Sequence, residues 1–345
     1  MVGALVVGVD ELTKRIEAIF RKAGIAEANA AAMARVIAAG ERDHCKSHGI
    51  YRIDGCLRTI KAGKVSPGAE ARLLDDGLAV VRVNAGGGFS CAAFELGAPV
   101  LAERARRLGI AALVINDCTH FSALWPEVEV LTAAGLAALA MCPSYATVAP
   151  AGGSRPLLGT NPFAFGWPRA NGSAPYVFDF ATSVAARGEI ELYRREGRPL
   201  PEGWAVDVEG VPTTRAEAAL AGAMLPFGGH KGSAISTMIE LLAGVMIGDL
   251  SSAEALEFLG TTALAPRHGE LILALDPGRF SAGRPGDPFE RAEILFDAIA
   301  SQGARLPSQR RFVARERTMR EGVVLTEAEA SHLDELEALG LDAVS

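Results

Sequence analysis

The sequence lacks the charge and cysteine patterns that mark several classes of protein. It carries a net charge of −7 and no block of lysines and arginines that could neutralise a nucleic-acid backbone. Its five cysteines never form a C-x-x-C pair, which argues against a disulfide framework and a zinc knuckle. We therefore expect a cytoplasmic chain with reduced thiols that binds no nucleic acid.

A membrane-spanning segment and a signal peptide are also missing from the pattern. Residues 130–154 carry no charge, but Pro143, Pro150 and the pair Gly152–Gly153 would break a membrane helix there. The N-terminal run MVGALVVGVDE has no basic residue before its apolar part. We expect no membrane association and interpret the N-terminus as a short strand or arm.

Three signatures of nucleotide binding or catalysis are absent as well. NAGGGFS at 84–90 has three consecutive glycines but not the G-x-G-x-x-G spacing of a Rossmann dinucleotide site. His44 and His48 are four residues apart but lack the glutamate of H-E-x-x-H, so no metal site is predicted. A serine hydrolase that uses Ser47 and His48 would lack the usual G-x-S-x-G elbow.

The segment GGHKGS at 228–233 resembles a phosphate-binding loop only in part. Its Lys231 precedes Gly232, whereas the lysine of a P-loop stands directly before the Ser or Thr. Glycine N–H groups, Lys231 and the N-terminus of the following helix could still bind a phosphate. A plain turn before a core helix explains the same residues, and the sequence leaves both readings open.

Hydrophobic periodicity predicts alternating strands and helices along most of the chain. Apolar runs such as LAVVRVN at 78–84 and IAALVIND at 110–117 are typical of buried strands, and residues 197–214 predict a turn-rich surface excursion. Thr326 with Glu329 forms a capping box before the last helix. Since 345 residues exceed the usual size of one hydrophobic core, we expect two or three lobes. The predicted class is α/β, with a sheet flanked by helices and helical segments at both chain ends.

The stretch ERDHCKSHGIYR at 41–52 concentrates groups that could act on a small acid. At the start of a helix, His48 and Arg52 would share one face because they are four residues apart. The imidazole could then exchange a proton near neutral pH while the guanidinium binds a carboxylate in a bidentate fork. Ser47 would cap the helix or orient the imidazole. For this stretch alone, the slightly favoured interpretation is that His44 and His48 are solvated residues at a helix end.

Six motifs are spread over nearly the whole chain: KSHGIYR at 46–52, CTHFSALWPEVE at 118–129, PAGGSRPLLGTNPFAFGWPR at 150–169, FDFATSVAARGEI at 178–190, FGGHKGSAIS at 227–236 and LPSQRR at 306–311. Together, and in this order, they resemble the motifs of the type-2 malate/L-lactate dehydrogenase family. The form HFSALWPE further resembles the ketimine-reductase branch, whose members reduce Δ1-piperideine-2-carboxylate and Δ1-pyrroline-2-carboxylate with NADPH.

The resemblance implies a homodimer with a nicotinamide-binding fold that is not a Rossmann fold, which accounts for the missing fingerprint. We predict a mixed-sheet core over residues 78–287 that binds cofactor and substrate. The helical N-terminal segment, residues 1–77, would carry the catalytic histidine and pack together with C-terminal helices in residues 288–345.

The resemblance also assigns roles to individual residues. His48 would act as acid and base, with Ser47 beside it and Glu189 joining the proton relay. Substrate contacts carry over to Arg52, Thr160, Arg187 and Gly188. Cofactor contacts carry over to four segments: His120, Phe121, Ser122, Ala123 and Leu124; Phe178, Asp179 and Phe180; His230 and Lys231; and Arg305, Leu306, Pro307, Ser308, Gln309, Arg310 and Arg311.

The same resemblance predicts the cofactor and the reaction. The family commonly has Pro-Gly-Glu where this chain has Pro307, Ser308 and Gln309, and loss of that carboxylate favours the phosphorylated ribose of NADPH, with NADH as the alternative. The predicted activity is reduction of a cyclic ketimine carboxylate to L-pipecolate or L-proline. Two alternatives stay open. One is dehydrogenation of a 2-hydroxy acid of the malate, lactate or ureidoglycolate type, whose 2-keto acid would use the same His and Arg. The other is a catalytically silent binding protein.

Overall fold

Helices and strands alternate along the chain as the periodicity predicts. The computed structural model describes residues 5–345, so the strand predicted at the N-terminus is confirmed only over its described part. In chain order the elements are β1 (Leu5–Val7), α1 (Val9–Lys22), α2 (Glu27–Arg42), α3 (Tyr51–Lys61), β2 (Arg72–Leu74), β3 (Val80–Asn84), α4 (Ser90–Leu108), β4 (Ile110–Thr119), α5 (Trp125–Ala133), β5 (Ala137–Met141), β6 (Phe163–Trp167), β7 (Tyr176–Phe180), α6 (Arg187–Glu196), β8 (Ala205–Val206), β9 (Pro212–Thr213), α7 (Ala216–Ala221), β10 (Ala223–Met224), α8 (His230–Glu240), α9 (Ser252–Leu259), β11 (Arg267–Leu275), α10 (Pro277–Phe280), α11 (Pro288–Ala300), α12 (Gln309–Glu321), β12 (Val323–Leu325) and α13 (Glu327–Leu339).

The main sheet has seven strands in the order β2-β3-β4-β11-β5-β6-β7. Strands β3 and β4 are parallel, and every other neighbouring pair is antiparallel. Helices α4 and α5 cover one face, where residues such as Leu113 and Val128 are fully buried. Helix α8 covers part of the other face, with Ile239 against Met141 and Leu271. The predicted α/β fold with a mixed sheet is confirmed.

A second, smaller sheet lies in the region predicted as a surface excursion. Strands β8, β9 and β10 pair antiparallel, and Leu200, Ala205 and Met224 belong to a separate apolar cluster. The sequence prediction of turns alone was therefore incomplete for residues 197–214. The strands are only two residues long, which is too short for an alternating pattern to be visible.

The two ends of the chain pack on each other. Strand β1 pairs antiparallel with β12, and the helices α1, α2, α3 and α13 share one apolar core. The capping box is confirmed, since the Glu329 N–H donates to Thr326 Oγ1 and the Thr326 N–H donates to Glu329 Oε2. Helix α11 packs on strand β7 of the main sheet, where the Phe296 ring stacks on Tyr176 with 5.2 Å between ring centres. The prediction that residues 288–345 pack with the N-terminal segment did not anticipate this contact. Within residues 5–345, no helix is long and apolar enough to cross a bilayer.

A close approach of α2 to the following turn forms the corner before α3. A Cβ atom on Gly40 would collide with the backbone carbonyl of His48, and one on Gly49 would collide with the Glu41 carboxylate. That carboxylate is buried and accepts the Ile50 N–H at 2.9 Å, while Lys46 Nζ lies 2.7 Å from its second oxygen. The corner therefore requires two glycines and one buried glutamate.

We predict that Gly40→Ala and Gly55→Ala change stability in opposite directions. Both glycines are helical, but a Cβ at Gly55 meets nothing within 4 Å. Gly55→Ala should therefore stabilise by about 0.5–1 kcal/mol through helix propensity, whereas Gly40→Ala should destabilise by about 1–3 kcal/mol through overpacking. Urea unfolding of both variants measures the difference, and equal stabilisation by both would contradict the close approach.

Candidate active site

His48 does not lie on the helix that carries Arg52, which corrects the expectation of a shared helical face. It ends a short 3₁₀ turn, Lys46–His48, and Gly49 then adopts φ −89° and ψ −145° before α3 begins at Tyr51. The break arises because the Glu41 carboxylate holds the Ile50 N–H and keeps the turn from continuing into the helix. The two side chains remain electrostatic neighbours, since the Arg52 charge contributes to lowering the pKa of His48.

The half-buried imidazole of His48 is held by its neighbour. Ser47 Oγ lies 3.1 Å from Nδ1, so a hydroxyl that donates to Nδ1 leaves the proton on Nε2. Burial first, and the Arg52 charge second, lower the pKa of His48 to about 3. In the free protein the imidazole is therefore neutral at pH 7, whereas from the sequence we expected it to exchange a proton near neutral pH. Between pH 6.5 and about 3 the unfolded chain gains a proton that the folded protein does not, so this group lowers stability as the pH falls.

Arg52 carries a positive charge that the protein leaves uncompensated. Its Nε atom is buried and has no hydrogen-bond partner, and no carboxylate within residues 5–345 forms an ion pair with it. Burial lowers its pKa, but a guanidinium remains protonated under ordinary conditions. A half-buried cation without a partner is costly, so the site is suited to an anionic ligand.

The phenol of Tyr145 is affected by the charges of both Arg187 and Arg52. Burial raises the pKa of the phenol, and the charges of Arg187 and Arg52 oppose this effect. The Tyr145 hydroxyl donates to the Thr262 carbonyl at 3.1 Å, and Arg187 Nη2 donates to the Thr262 hydroxyl at 3.1 Å. The predicted substrate residue Arg187 is thus part of the same polar group as Arg52. Tyr145 and Thr262 were missed from the sequence because neither lies in a motif with a defined spacing.

Backbone hydrogen bonds connect Thr160 to two of the predicted cofactor segments. The Thr182 N–H and hydroxyl both donate to the Thr160 carbonyl, at 2.8 and 3.0 Å, and the Phe227 N–H donates to the Thr182 carbonyl. The Phe180 ring stacks on Phe178 at 5.0 Å and meets Phe227 edge to face at 5.8 Å. The end of β7 and the start of α8 therefore lie together. Gly188 follows Arg187 in the first turn of α6.

The start of α8 presents exposed donors to a ligand. His230 and Lys231 are exposed in its first turn, and a Cβ at the preceding Gly229 would meet nothing within 4 Å. An ammonium group at a helix N-terminus beside open backbone suits a phosphate. The donor set therefore fits the pyrophosphate of a nicotinamide cofactor.

Asp179 holds the loop that contains His120. Its carboxylate accepts the N–H groups of Leu124 and Trp125 at 2.8 and 3.0 Å, at the N-terminus of α5. Burial raises the pKa of Asp179 to about 6, and these two N–H bonds oppose that effect. Every side chain of the predicted cofactor loop is buried, so a cofactor would contact this loop only through small openings or through backbone atoms. The loop consists of His120, Phe121, Ser122, Ala123 and Leu124.

Residues 305–311 divide into exposed and engaged side chains. Arg305, Gln309 and Arg310 are exposed, and Leu306 is buried. Pro307 and Ser308 are half-buried before α12. Arg311 instead pairs with Asp43 at 2.9 Å and Glu129 at 2.5 Å, and its guanidinium lies 4.3 Å from the Trp125 ring centre. The Arg311 guanidinium, in α12, therefore joins α12 to the corner before α3 and to α5.

Glu189 is exposed in the first turn of α6, and its carboxylate forms no hydrogen bond or ion pair within residues 5–345. The structure does not bring it to His48, so its place in the proton relay stays a prediction without geometric support.

A serine hydrolase is not supported either, because no carboxylate in the described residues contacts His48.

These features describe a site that suits a small anion beside an imidazole. The chain belongs to the malate/L-lactate dehydrogenase family, whose sequence profile, described as "Malate/L-lactate dehydrogenase", matches residues 7–334. It is accordingly an NAD(P)H-dependent oxidoreductase, and the predicted family is confirmed.

Three comparisons place the chain among reductases of this family. A Delta(1)-pyrroline-2-carboxylate reductase of Agrobacterium fabrum is 70% identical, over 98% of each chain. A Delta(1)-pyrroline-2-carboxylate/Delta(1)-piperideine-2-carboxylate reductase of Pseudomonas aeruginosa is 57% identical, over 93% of this chain and 96% of the relative. The crystal structure of a delta1-piperideine-2-carboxylate reductase from Pseudomonas syringae superposes with a TM-score of 0.91 at 41% identity, over 96% of this chain and 99% of the other.

We predict that Arg52→Met raises the pKa of His48 above about 3 but leaves it below 6.5. Removal of the guanidinium charge abolishes one cause of the lowered pKa, while burial, the larger cause, remains. ¹⁵N NMR of the imidazole nitrogens across pH measures the shift. Arg58→Met is the matched control, because Arg58 lies on the same helix and pairs with Asp54 at 3.7 Å. An unchanged His48 titration in Arg52→Met would contradict this electrostatic coupling.

Proposed function

We propose that the protein reduces a cyclic ketimine carboxylate, Δ1-pyrroline-2-carboxylate or Δ1-piperideine-2-carboxylate, to L-proline or L-pipecolate with NADPH. The observation that carries the proposal is the unpaired Arg52 guanidinium beside the neutral His48 imidazole. The names of relatives that are 70% and 57% identical support the substrate class.

The carboxylate of the substrate binds Arg52 in this proposal. A bidentate pair would give the buried Nε atom a partner and cancel the charge that depresses the pKa of His48. Arg187 and Tyr145 lie in the same polar group and would then limit the space available to the ring of the substrate. Substrate binding and proton transfer are therefore coupled through one guanidinium.

His48 relays the proton that reduction consumes. The imidazole is neutral in the free protein, and once the substrate carboxylate cancels the Arg52 charge it takes up a proton from solvent and passes it to the substrate. With Ser47 at Nδ1, the Nε2 atom is the one that faces a ligand. The imine nitrogen gains this proton, and the nicotinamide, when bound, supplies a hydride to the adjacent carbon. The chain's contribution is orientation and charge placement, and the proton lost by His48 returns from solvent.

The cofactor would lie along the start of α8 and the segment before α12. Lys231 at the helix N-terminus suits the pyrophosphate, and the exposed Arg305 and Arg310 suit a ribose phosphate. Arg311 is excluded from that role in this proposal because its ion pairs with Asp43 and Glu129 would have to break. With Gln309 in place of the family's common glutamate, no carboxylate at this position repels a 2′-phosphate.

A second candidate is a dehydrogenase for a 2-hydroxy acid. The family description names malate and L-lactate, and the same His48 and Arg52 would serve a 2-keto acid, with the proton going to oxygen. A panel of both cyclic imines, pyruvate and oxaloacetate separates the candidates. Higher kcat/KM for a 2-keto acid than for either imine would reject the ketimine proposal.

We also propose a cytoplasmic homodimer, as the family resemblance implies. Helix α8 and the π-helical turn that continues it, Leu241–Val245, leave an apolar stripe exposed at Met238, Leu241 and Val245, and such a stripe is typical of a protein interface. Five free thiols agree with a reducing compartment. Light scattering should give twice the mass of one chain, and Val245→Asp should reduce it to that of a monomer; a monomeric wild type would reject the dimer.

We predict that His48→Asn lowers kcat for Δ1-pyrroline-2-carboxylate by roughly 10²- to 10⁴-fold, because a positioned acid is lost. His44→Asn is the matched control, since His44 lies in the same motif but is exposed and contacts Arg317. NADPH oxidation under saturating substrate measures both variants, with circular dichroism to check folding. Turnover close to wild type in a folded His48→Asn protein would remove His48 from the mechanism.

We predict that Gln309→Glu lowers kcat/KM for NADPH by roughly 10-fold, equivalent to about 1.4 kcal/mol, and leaves that for NADH nearly unchanged. The added carboxylate would lie next to the exposed Arg310 and oppose a 2′-phosphate. Gln302→Glu adds the same charge at an exposed position in the preceding segment and serves as the control. Equal losses for NADPH and NADH, or a wild type that prefers NADH, would count against this ribose contact.

A further inference from the structure

A buried group of one histidine and two glutamates stands apart from the residues assigned to catalysis. His120 follows β4, Glu127 is in α5, and Glu270 is in β11, yet their donor atoms all lie within 4.8 Å of one another. All three are buried, at 4%, 3% and 0% exposure. They converge from separate elements, so the sheet and α5 build the group together.

The carboxylates of this group have no visible partners. Both oxygens of Glu270 and the Oε2 atom of Glu127 are buried without a hydrogen-bond partner. No lysine or arginine in residues 5–345 forms an ion pair with either residue. Two buried and unpaired carboxylates are strongly unfavourable unless something neutralises their charge.

Protons alone satisfy this group poorly. Burial raises the pKa of both Glu127 and Glu270, which favours their protonated forms. One shared proton would still leave one negative charge buried, and two protons would remove the charge but add two O–H donors to a group whose oxygens have no other hydrogen-bond partner. A divalent cation neutralises both charges and coordinates all three oxygens together with an imidazole nitrogen. The charge and the number of orphaned atoms therefore match a cation better than a shared proton.

Two further donors adjoin the group. His120 Nδ1 lies 3.8 Å from Cys142 Sγ, and His120, Cys142 and His268 form a second set of donor atoms within 4.8 Å. The ring nitrogen Nδ1 of His268 lies 2.9 Å from the Gly269 carbonyl, and donation to this oxygen leaves Nε2 as a lone-pair donor. Hydrogen bonding of one ring nitrogen to a backbone carbonyl is common in metal-binding histidines.

We propose that His120, Glu127 and Glu270 bind one divalent cation of the zinc or manganese class. Carboxylate and imidazole donors suit both ions, and the nearby Cys142 would favour zinc if it joined them. The ion has a structural role: it joins α5 and β11 to the His120 loop, which supports the predicted cofactor segment. The donors are separated by up to 150 positions in the chain, so no ligand spacing in the sequence reveals them.

The test measures metal content directly and does not depend on enzymatic activity. Untagged protein, purified without chelator and passed through gel filtration, should contain about one zinc or manganese ion per chain by mass spectrometry of the elements. Dialysis against EDTA should lower Tm, and addition of Zn²⁺ or Mn²⁺ should restore it. These measurements use wild-type protein and remain decisive if a variant fails to fold.

The matched variants locate the site. Glu270→Gln and Glu127→Gln should bind Zn²⁺ roughly 100-fold or more weakly in calorimetry, while Glu257→Gln, at an exposed position in α9, should bind like wild type. The proposal is overturned if wild-type protein retains no metal and its Tm responds to neither ion. Protons would then neutralise the two carboxyl groups. Retention of equal metal by Glu270→Gln overturns it too, because the ion would then lie elsewhere. Neither result bears on the reductase proposal, which the imine assay decides.

Discussion

The buried carboxylate of Glu41 is the group on which the geometry of the active site depends. It accepts the Ile50 N–H at 2.9 Å and pairs with Lys46, so the chain between them is held as a tight turn that presents Ser47 and His48. Gly40 and Gly49 make room for this arrangement. Because breaking this pair would leave the buried Glu41 carboxylate without its countercharge, the turn resists rearrangement. His48 therefore lies in a separate segment from Arg52, and the Arg52 charge contributes to lowering its pKa.

Around this corner, the carboxylates of Asp43 and Asp179 have partners, whereas the Arg52 guanidinium forms no ion pair within the described residues. Asp43 binds Arg42, Arg311 and Arg315, which ties the corner to α12, and Asp179 binds two N–H groups at the start of α5. Asn161 likewise holds the loop after Thr160 against α8 and α9. Arg52, by contrast, has neither an ion-pair partner nor a hydrogen bond at Nε within the described residues. A site that is rigid on every side and positive at one point is prepared for a small anion.

The sequence predicted the outline of the fold because its signals there are local. The signals for strand β4, for the capping box at Thr326 and for the family motifs each lie within one short stretch of sequence. The roles of Arg311 and Asp179 were not predictable, because their partners Asp43 and Leu124 lie 268 and about 55 positions away in the chain. Only the packed structure shows that both side chains already bind groups of the protein itself. The turn at His48 was mispredicted for the same reason: helix spacing favours one continuous face, and a buried contact from Glu41 overrides it. Glu127 and Glu270 resemble ordinary charged residues until their burial is known.

The central claim is that one guanidinium and one imidazole, held by a rigid corner, receive the carboxylate and the nitrogen of a cyclic acid. A crystal structure of the complex with NADP⁺ and L-proline tests it most directly. We expect two N–H donors of Arg52 on the proline carboxylate and His48 Nε2 at about 3 Å from the ring nitrogen. A carboxylate bound to another cation, with His48 facing solvent away from the nicotinamide, would contradict the account.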